Sequence, residues 1–333
     1  MVKIGIVGCG KIAKRHLEAL RNIREVQVTV FDIDHVAARR RADEFGVGHS
    51  RTLEELLNTP GLAAVDVCVP TPWHRDLVLA ALQCGQHVFC EKPLCLTLAE
   101  ALEIRDALQH TDRQLMVGYL YRFYPAFQYV KQLLEEGIIG EPYFALLRVG
   151  GRGDAAPWKH RRRDGGGAIM EMMVHKLDLA LWFFGNISTA RVLYKETFLP
   201  ERFIDGDAVA ADAEDCVIAH LEANGTQIIC QSDLVTPSYM NHIEIQAENG
   251  SIFSSMLHYM PTRVYCKKPR GGYAGGATTR QFPMVNVFER ELAHFVSVLR
   301  GECEAINTID DSVELIRLIE QLRLEPEPAR QCY

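Results

Sequence analysis

The sequence predicts a doubly wound parallel α/β sheet over residues 1–120, joined to an α+β domain over 121–333 built on an open antiparallel sheet. Three observations predict it. An apolar run at the start meets a glycine turn that opens a helix. Apolar runs then alternate with helical ones as far as Gly118, the pattern of parallel strands with crossover helices. After Ser188 the helical spacing gives way to short alternating runs separated by Gly, Asn and Asp.

The first run, Ile4 to Val7, ends at Gly8-Cys-Gly10, and a helix follows to Leu20. Gly8 takes a turn conformation closed to other residues. Gly10 carries no side chain to block a pyrophosphate, and Ala13 lets the helix lie close on the strand. The helix start, Lys11 and Ile12 onward to Lys14, offers backbone N–H groups to phosphate. About twenty residues on, Val26 to Phe31 is a second strand, and Asp32 at its end is placed for the adenosine ribose hydroxyls. Strand, glycine turn, helix and acid together predict a Rossmann domain. A carboxylate at 32 repels a 2′-phosphate, and Ile33-Asp-His35 follows it with no Arg or Ser, so NAD is predicted over NADP. Arg39, Arg40 and Arg41 are assigned to the exposed face of the next helix.

The remaining elements follow in order. Ala37 to Phe45 is helical, Gly46 to Gly48 a short strand or turn, and Thr52 caps a helix over Leu53 to Leu57. Val65 to Val69 is a third strand, ending in Pro-Thr71-Pro-Trp-His74, and Asp76 to Cys84 is a helix. His87 to Cys90 is a fourth strand, ending in Glu91-Lys92-Pro93. Thr97 opens a helix to about His110, and Leu115 to Gly118 is a fifth strand. In such sheets the ligand lies along the carboxyl ends of the strands, where the glycines, Asp32, Thr71, His74, Glu91 and Lys92 all fall.

Beyond Tyr119, Phe123 to Glu136 reads as one long helix and Tyr143 to Gly151 as a strand. A basic loop, Trp158 to Asp164, precedes Gly165-Gly-Gly167 and an apolar helix over Ala168 to Phe184. Six strands are predicted: 191–194, 215–222, 226–233, 242–247, 251–255 and 263–266. Helices follow at Val287 to Arg300 and Asp311 to Leu324, with a loose tail from Glu325.

Composition narrows the function classes. A formal net charge of -7 argues against a nucleic-acid partner, which needs a positive footprint. No apolar run reaches the length of a membrane span, and the N-terminus enters a strand directly, leaving no room for a signal peptide. The ten cysteines lie singly, with no CxxC pair, so a metal site is not expected and they read as reduced thiols of a cytoplasmic protein.

These residues resemble the glucose-fructose oxidoreductase / inositol dehydrogenase / rhizopine-catabolism (Gfo/Idh/MocA) family of pyridine-nucleotide enzymes over nearly the whole chain. The resemblance rests on Gly8-Cys-Gly-Lys-Ile-Ala13, Pro70-Thr-Pro-Trp-His74, Cys90-Glu-Lys-Pro93, Tyr121-Arg-Phe-Tyr-Pro125 and Gly165-Gly-Gly-Ala-Ile-Met-Glu-Met-Met-Val-His175. It implies that Lys92 lies beside nicotinamide and substrate, and that Glu171 and His175 project from one helix face into the cleft. Two departures stand out: the acid is more often Asp, and Lys176 stands where Asp is often found. The extra methylene moves the Glu171 carboxylate by about an ångström, enough to matter for catalysis.

The chemistry implied is hydride transfer from a secondary alcohol to NAD. His175 is the natural base at neutral pH, Lys92 steadies the alkoxide or shares the proton, and Glu171 orients Lys92 or binds a substrate hydroxyl. A structural reading stands beside each. Lys92 could be a helix-entry lysine and His175 a core histidine, and zinc at Glu171 and His175 lacks a third local ligand. Arg122 contacts substrate or fixes the domain junction, Asp178 reaches substrate or packs, and Trp158 with Arg161 and Arg163 covers the nicotinamide end, binds a phosphate or is solvated.

The expected substrate is a polyhydroxylated ring: a sugar, cyclitol or amino sugar. The acidic stretch Asp205 to Asp215 favours an amino-bearing ring and the basic loop a phosphorylated one. The alternatives are a reductase of a keto-sugar or other carbonyl, and a silent NAD-binding sensor. Apolar alternation at Val217, Ala219, Leu221, Ile228 and Cys230 predicts an open sheet face that meets another subunit in a homodimer or homotetramer.

Overall fold

The computed structural model describes residues 1–152, 156–204 and 206–325. Asp205 of the acidic stretch, and the predicted tail beyond Glu325, lie outside the described residues. The elements are, in chain order, β1 (Val2–Val7), α1 (Lys11–Leu20), β2 (Val26–Phe31), α2 (His35–Phe45), β3 (Gly48–His49), α3 (Leu53–Leu57), β4 (Leu62–Val67), α4 (His74–Gln83), β5 (His87–Cys90), α5 (Leu98–Gln109) and β6 (Leu115–Val117). They continue as α6 (Pro125–Glu135), β7 (Pro142–Gly150), α7 (Val174–Phe184), β8 (Thr189–Glu196), β9 (Glu201–Ile204), β10 (Asp207–Ala210), β11 (Cys216–Ala223), β12 (Thr226–Asp233) and β13 (Met240–Ala247). The last are β14 (Gly250–Ser255), β15 (Thr262–Cys266), β16 (Gly276–Arg280), α8 (Val287–Leu299) and α9 (Ile309–Leu324).

Two compact units divide the chain. The first holds Met1–Leu120 and Asn286–Ile316; the second holds Tyr121–Val285 and the chain from Arg317. The sequence predicts one boundary, after residue 120, with everything beyond it in the second domain. Residues 286–316 instead return to the first unit, for reasons of packing. Phe288 of α8 lies against the His16 ring and Phe295 against Phe89. Asn307 then pairs with the edge of β6, its side chain accepting from the Val117 N–H and donating to the Val117 carbonyl.

In the first unit the sheet runs β3-β2-β1-β4-β5-β6, with every pair parallel. Its central strands are apolar on both faces because helices cover both, and Ile4, Ile6, Val30, Val65, Val88 and Phe89 are buried. The strand order reverses between β1 and β4, which places the ligand crevice at the carboxyl ends of these two strands. Helix starts follow their caps. Asp34 accepts from the Val36 N–H, Thr52 from the Glu55 N–H, and Thr97 with Glu100 forms a reciprocal capping box.

The second unit is built on an eight-stranded sheet of order β16-β15-β14-β13-β7-β12-β11-β8. It is antiparallel except that β12 runs parallel to β7. The six strands predicted between 191 and 266 are all present, while the β9–β10 hairpin and β16 were not predicted. Val217, Ala219, Leu221, Ile228 and Cys230, predicted to form an open face, are instead fully buried. They point to the side on which α7 packs against β7 and β12. The other face carries Leu146, Ile218 and Ile229, all half-buried.

Replacing Thr97 by Ala removes one arm of the capping box and should lower stability by about 1 kcal/mol, read as a lower urea midpoint at unchanged m-value.

Candidate active site

Gly8 has φ +94, and a β-carbon there would lie 2.6 Å from the Cys68 carbonyl oxygen, so neither the torsion nor the space admits a side chain. Gly10, by contrast, has no atom within 4 Å of where its β-carbon would be. It borders a cavity of about 510 Å³ lined by Gly8, Gly10, Asp32, Val69, Trp73 and Leu77 among others. Asp32 is fixed at its rim: Oδ2 accepts from the Cys9 N–H at 2.7 Å and Oδ1 from the Asp34 N–H at 2.9 Å. Lys11 and Ile12 stand in the first turn of α1, and Ala13 is fully buried against the sheet. A glycine with open space before it, an oriented carboxylate and a helix N-terminus suit an adenosine diphosphate group.

Three residues sit differently from expectation. Arg41 is buried, not on the solvent face of α2; its guanidinium donates to the Cys9 and Gly10 carbonyls at 3.1 and 3.2 Å and pairs with Glu44 at 2.5 Å. His74 does not line the cavity. Both its ring nitrogens are spent on backbone carbonyls, Val69 at 2.8 Å and Pro93 at 2.9 Å, so it braces the two loops. Thr71 is buried at the start of a short 3₁₀ turn and is likewise absent from the cavity wall.

Glu91 and Lys92 follow β5, and beneath them lies a buried charge cluster. His16 of α1 faces Asp66 through Nδ1 at 2.8 Å and Glu91 through Nε2 at 3.1 Å. The Cys68 thiol lies 3.3 Å from Nδ1 and donates to Asp66. Burial alone would push the imidazole down, but Asp66 holds it well above its ordinary value. Burial would likewise raise Glu91, yet the hydrogen bond and charge of His16, then Lys92, bring its carboxyl below the usual range. The result is an imidazolium between two carboxylates. Glu91 also accepts from the Lys92 N–H at 3.2 Å, which ties this cluster to the half-buried lysine. His16 and Asp66 were not singled out from the sequence. Their signal was a histidine on the apolar face of α1 and an aspartate inside the apolar run of β4.

In the second unit torsion requires glycine at 165 and 167, and contact requires it at 166 and 167. A β-carbon on Gly166 would lie 2.4 Å from the Lys159 carbonyl, and one on Gly167 would lie 2.5 Å from the Glu214 carboxylate. Glu214 in turn accepts from the Ile169 N–H at 3.2 Å and holds the start of the following helix. That helix does not begin as an α-helix. Ile169–Met173 is a π turn, and α7 starts only at Val174. Glu171 therefore lies in the wider turn while His175 lies in α7. Glu171 is ion-paired to Lys159 at 2.8 Å, and the Lys159 ammonium sits 5.3 Å from the centre of the half-buried Trp158 ring. His175 lies flat on Tyr121, with ring centres 4.2 Å apart and planes 14° apart.

Arg122, expected to contact substrate or fix the domain junction, and Asp178, expected to reach substrate or pack, form a buried ion pair. Arg122 donates to Asp178 through Nε at 3.0 Å and Nη2 at 2.7 Å, and both residues are at most 2% exposed. Two carboxylates of the acidic stretch are engaged within the unit. Asp212 accepts from the Arg162 N–H, and Asp215 accepts from the Phe198 and Leu199 N–H groups and pairs with Arg202. Asp212 and Asp215 are thus engaged within their own unit, while Asp207 stays exposed. Arg161 and Arg163 lie 4.0 and 3.5 Å from Asp164.

Against known proteins, residues 2–119 match the model of an oxidoreductase family with an NAD-binding Rossmann fold, and residues 127–253 match the GFO/IDH/MocA C-terminal domain. The chain belongs to the GFO/IDH/MocA oxidoreductase family. Residues 2–119 are the family's NAD-binding domain. Myo-inositol 2-dehydrogenase of Thermotoga maritima is 29% identical over 263 residues, 76% of this chain and 75% of the relative. Inositol 2-dehydrogenase of Rhizobium meliloti is 29% identical over 75% of this chain and 74% of that protein. The fold matches a levoglucosan dehydrogenase–NADH complex at TM-score 0.87 and 20% identity, covering 96% and 95% of the two chains. Among the described residues no helix is long and apolar enough to cross a membrane.

Asp32→Ala removes the carboxylate at the cavity rim and the partner of the Cys9 N–H. It should weaken NAD binding by about tenfold or more in a fluorescence titration. A second outcome concerns stability. Burial lowers the Lys176 amine from 10.5 to about 7. Between these values the unfolded chain binds one proton more than the folded one, so folding stability rises with pH. Lys176→Met lacks that slope. Its stability advantage over the parent should be largest at and below pH 7 and shrink toward pH 10 in parallel urea titrations.

Proposed function

We propose that this protein is an NAD-dependent dehydrogenase that oxidises a ring secondary hydroxyl of a sugar, cyclitol or amino sugar to a ketone. The observation that carries the reading is His175, a half-buried imidazole held flat on Tyr121 in the family's glycine-led helix. NAD, when bound, accepts the hydride. His175 takes the hydroxyl proton, and Lys92, whose backbone N–H is fixed by Glu91, steadies the developing alkoxide. Glu171, paired with Lys159, serves as a hydroxyl acceptor for a ring substrate. Inositol and sugar dehydrogenases among the relatives support a polyhydroxylated ring.

The open face of the second sheet, with Ile218, Ile229 and Leu146 on it, supports a homodimer or homotetramer. Buried thiols such as Cys90 and Cys230 suit a reducing cytoplasm.

Lys92→Met and His175→Asn should each lower kcat by about 100-fold or more while leaving the NAD dissociation constant within about twofold of the parent. Absorbance at 340 nm over a panel of inositols, sugars and amino sugars gives the rates, and the same panel of ketones with NADH tests the reverse direction. NAD binding without turnover in either direction would move the assignment to a silent sensor. Light scattering at micromolar concentration tests the assembly, and a monomer would contradict it.

A further inference from the structure

Lys176 follows His175 in α7 and is completely buried. Its ammonium donates to Asn241 Oδ1 at 2.7 Å and reaches the His242 carbonyl at 3.4 Å. It also lies 5.5 Å from the centre of the Tyr121 ring and 5.3 Å from that of Phe127. The lysine has only donors, so the Asn241 carbonyl oxygen must face it, and the amide NH₂ is then turned the other way. That NH₂ donates to the Tyr121 hydroxyl at 2.6 Å and the Tyr239 hydroxyl at 3.1 Å, and the two hydroxyls are 2.8 Å apart. Tyr121 is the ring on which His175 lies.

Packing alone does not account for a lysine here. A methionine would fill the same space without the cost of desolvating an amine, and among the described residues no carboxylate pairs with Lys176. The Cys230 thiol on β12 and the Tyr121 ring lie against it, its charge reaches His242, and His175 lies on the same Tyr121 ring. We propose that Lys176 is a positioning residue of the His175 site: through Asn241 it fixes the Tyr121 platform, and its charge disfavours the imidazolium on His175. The proposal rests on the reading of His175 as the base. A second group reports on the same charge independently. His242 is pushed below its ordinary value by burial first and by Lys176 next.

The test combines ¹³C-histidine NMR titration of the full-length protein with the pH dependence of kcat/KM for whichever ring substrate is turned over. In Lys176→Met, the His175 and His242 titrations should both move up by about half a pH unit. The acidic limb of kcat/KM should move with His175, and kcat should fall about three- to tenfold at unchanged NAD affinity. Lys176→Gln keeps a donor to Asn241 without the charge. It should restore kcat yet retain the shifted titrations, and it stands in if the methionine variant does not fold. A folded variant with unchanged His175 titration and unchanged acidic limb overturns the proposal while leaving the dehydrogenase reading intact. Absence of turnover by the parent overturns that reading instead, and the NMR shifts still decide whether Lys176 acts on His175.

Discussion

The close approach of Gly8 to the Cys68 carbonyl is the constraint on which the first unit depends. It presses the end of β1 against the end of β4 at the point where the strand order reverses. Everything that faces the nucleotide follows from that approach. The turn it permits starts α1 at Lys11, aims the Cys9 N–H at Asp32 and leaves the carbonyls of Cys9 and Gly10 to be clamped by Arg41. A buried guanidinium behind the loop and a carboxylate beside it make the glycine turn a rigid object. Its rigidity means that little ordering remains to be done when a dinucleotide arrives.

The two units differ in how they handle buried charge. In the first, His16 is enclosed by Asp66 and Glu91, so a charge is met by charges and the cluster stays ionised. The second also holds ion pairs, among them Arg122 with Asp178 and Arg202 with Asp215, and close to Asp178 in sequence a lysine with only neutral partners. Compensated groups lock geometry, whereas an uncompensated one sits near the balance between its two protonation states. A fold that contains both can keep Lys92 on a fixed support and still leave the surroundings of His175 responsive to pH.

Legibility in the sequence tracked the range of the interactions. The glycine turn, Asp32, the Thr52 and Thr97 caps and the inner strands are specified by residues within a few positions of each other, and the sequence reading located them. Features set by distant partners were not legible. Asp178 lies 56 residues from Arg122, and nothing local marks them as a pair. Arg41 reads as one of three surface arginines until backbone carbonyls 31 and 32 residues away claim it. The β9–β10 hairpin and β16 carry too many exposed and polar positions for a period of two to emerge. The alternation at Val217 to Cys230 was read correctly as one face but assigned to the wrong side, because a strand pattern does not say which face the helix covers.

A π turn is an α-helix that has gained one residue, so the relation between Glu171 and His175 is a matter of chain length as well as of side-chain identity. Removing one residue between Ile169 and Met173 would restore α-helical winding and bring a different side chain to the place Glu171 holds relative to His175. Lineages of this fold therefore have two separate routes to a new arrangement of acid and base. Point substitution changes what stands at 171, and a single-residue insertion or deletion changes where it points. The second route leaves the composition of the helix almost untouched, so two relatives can share every motif and still present different groups to the substrate.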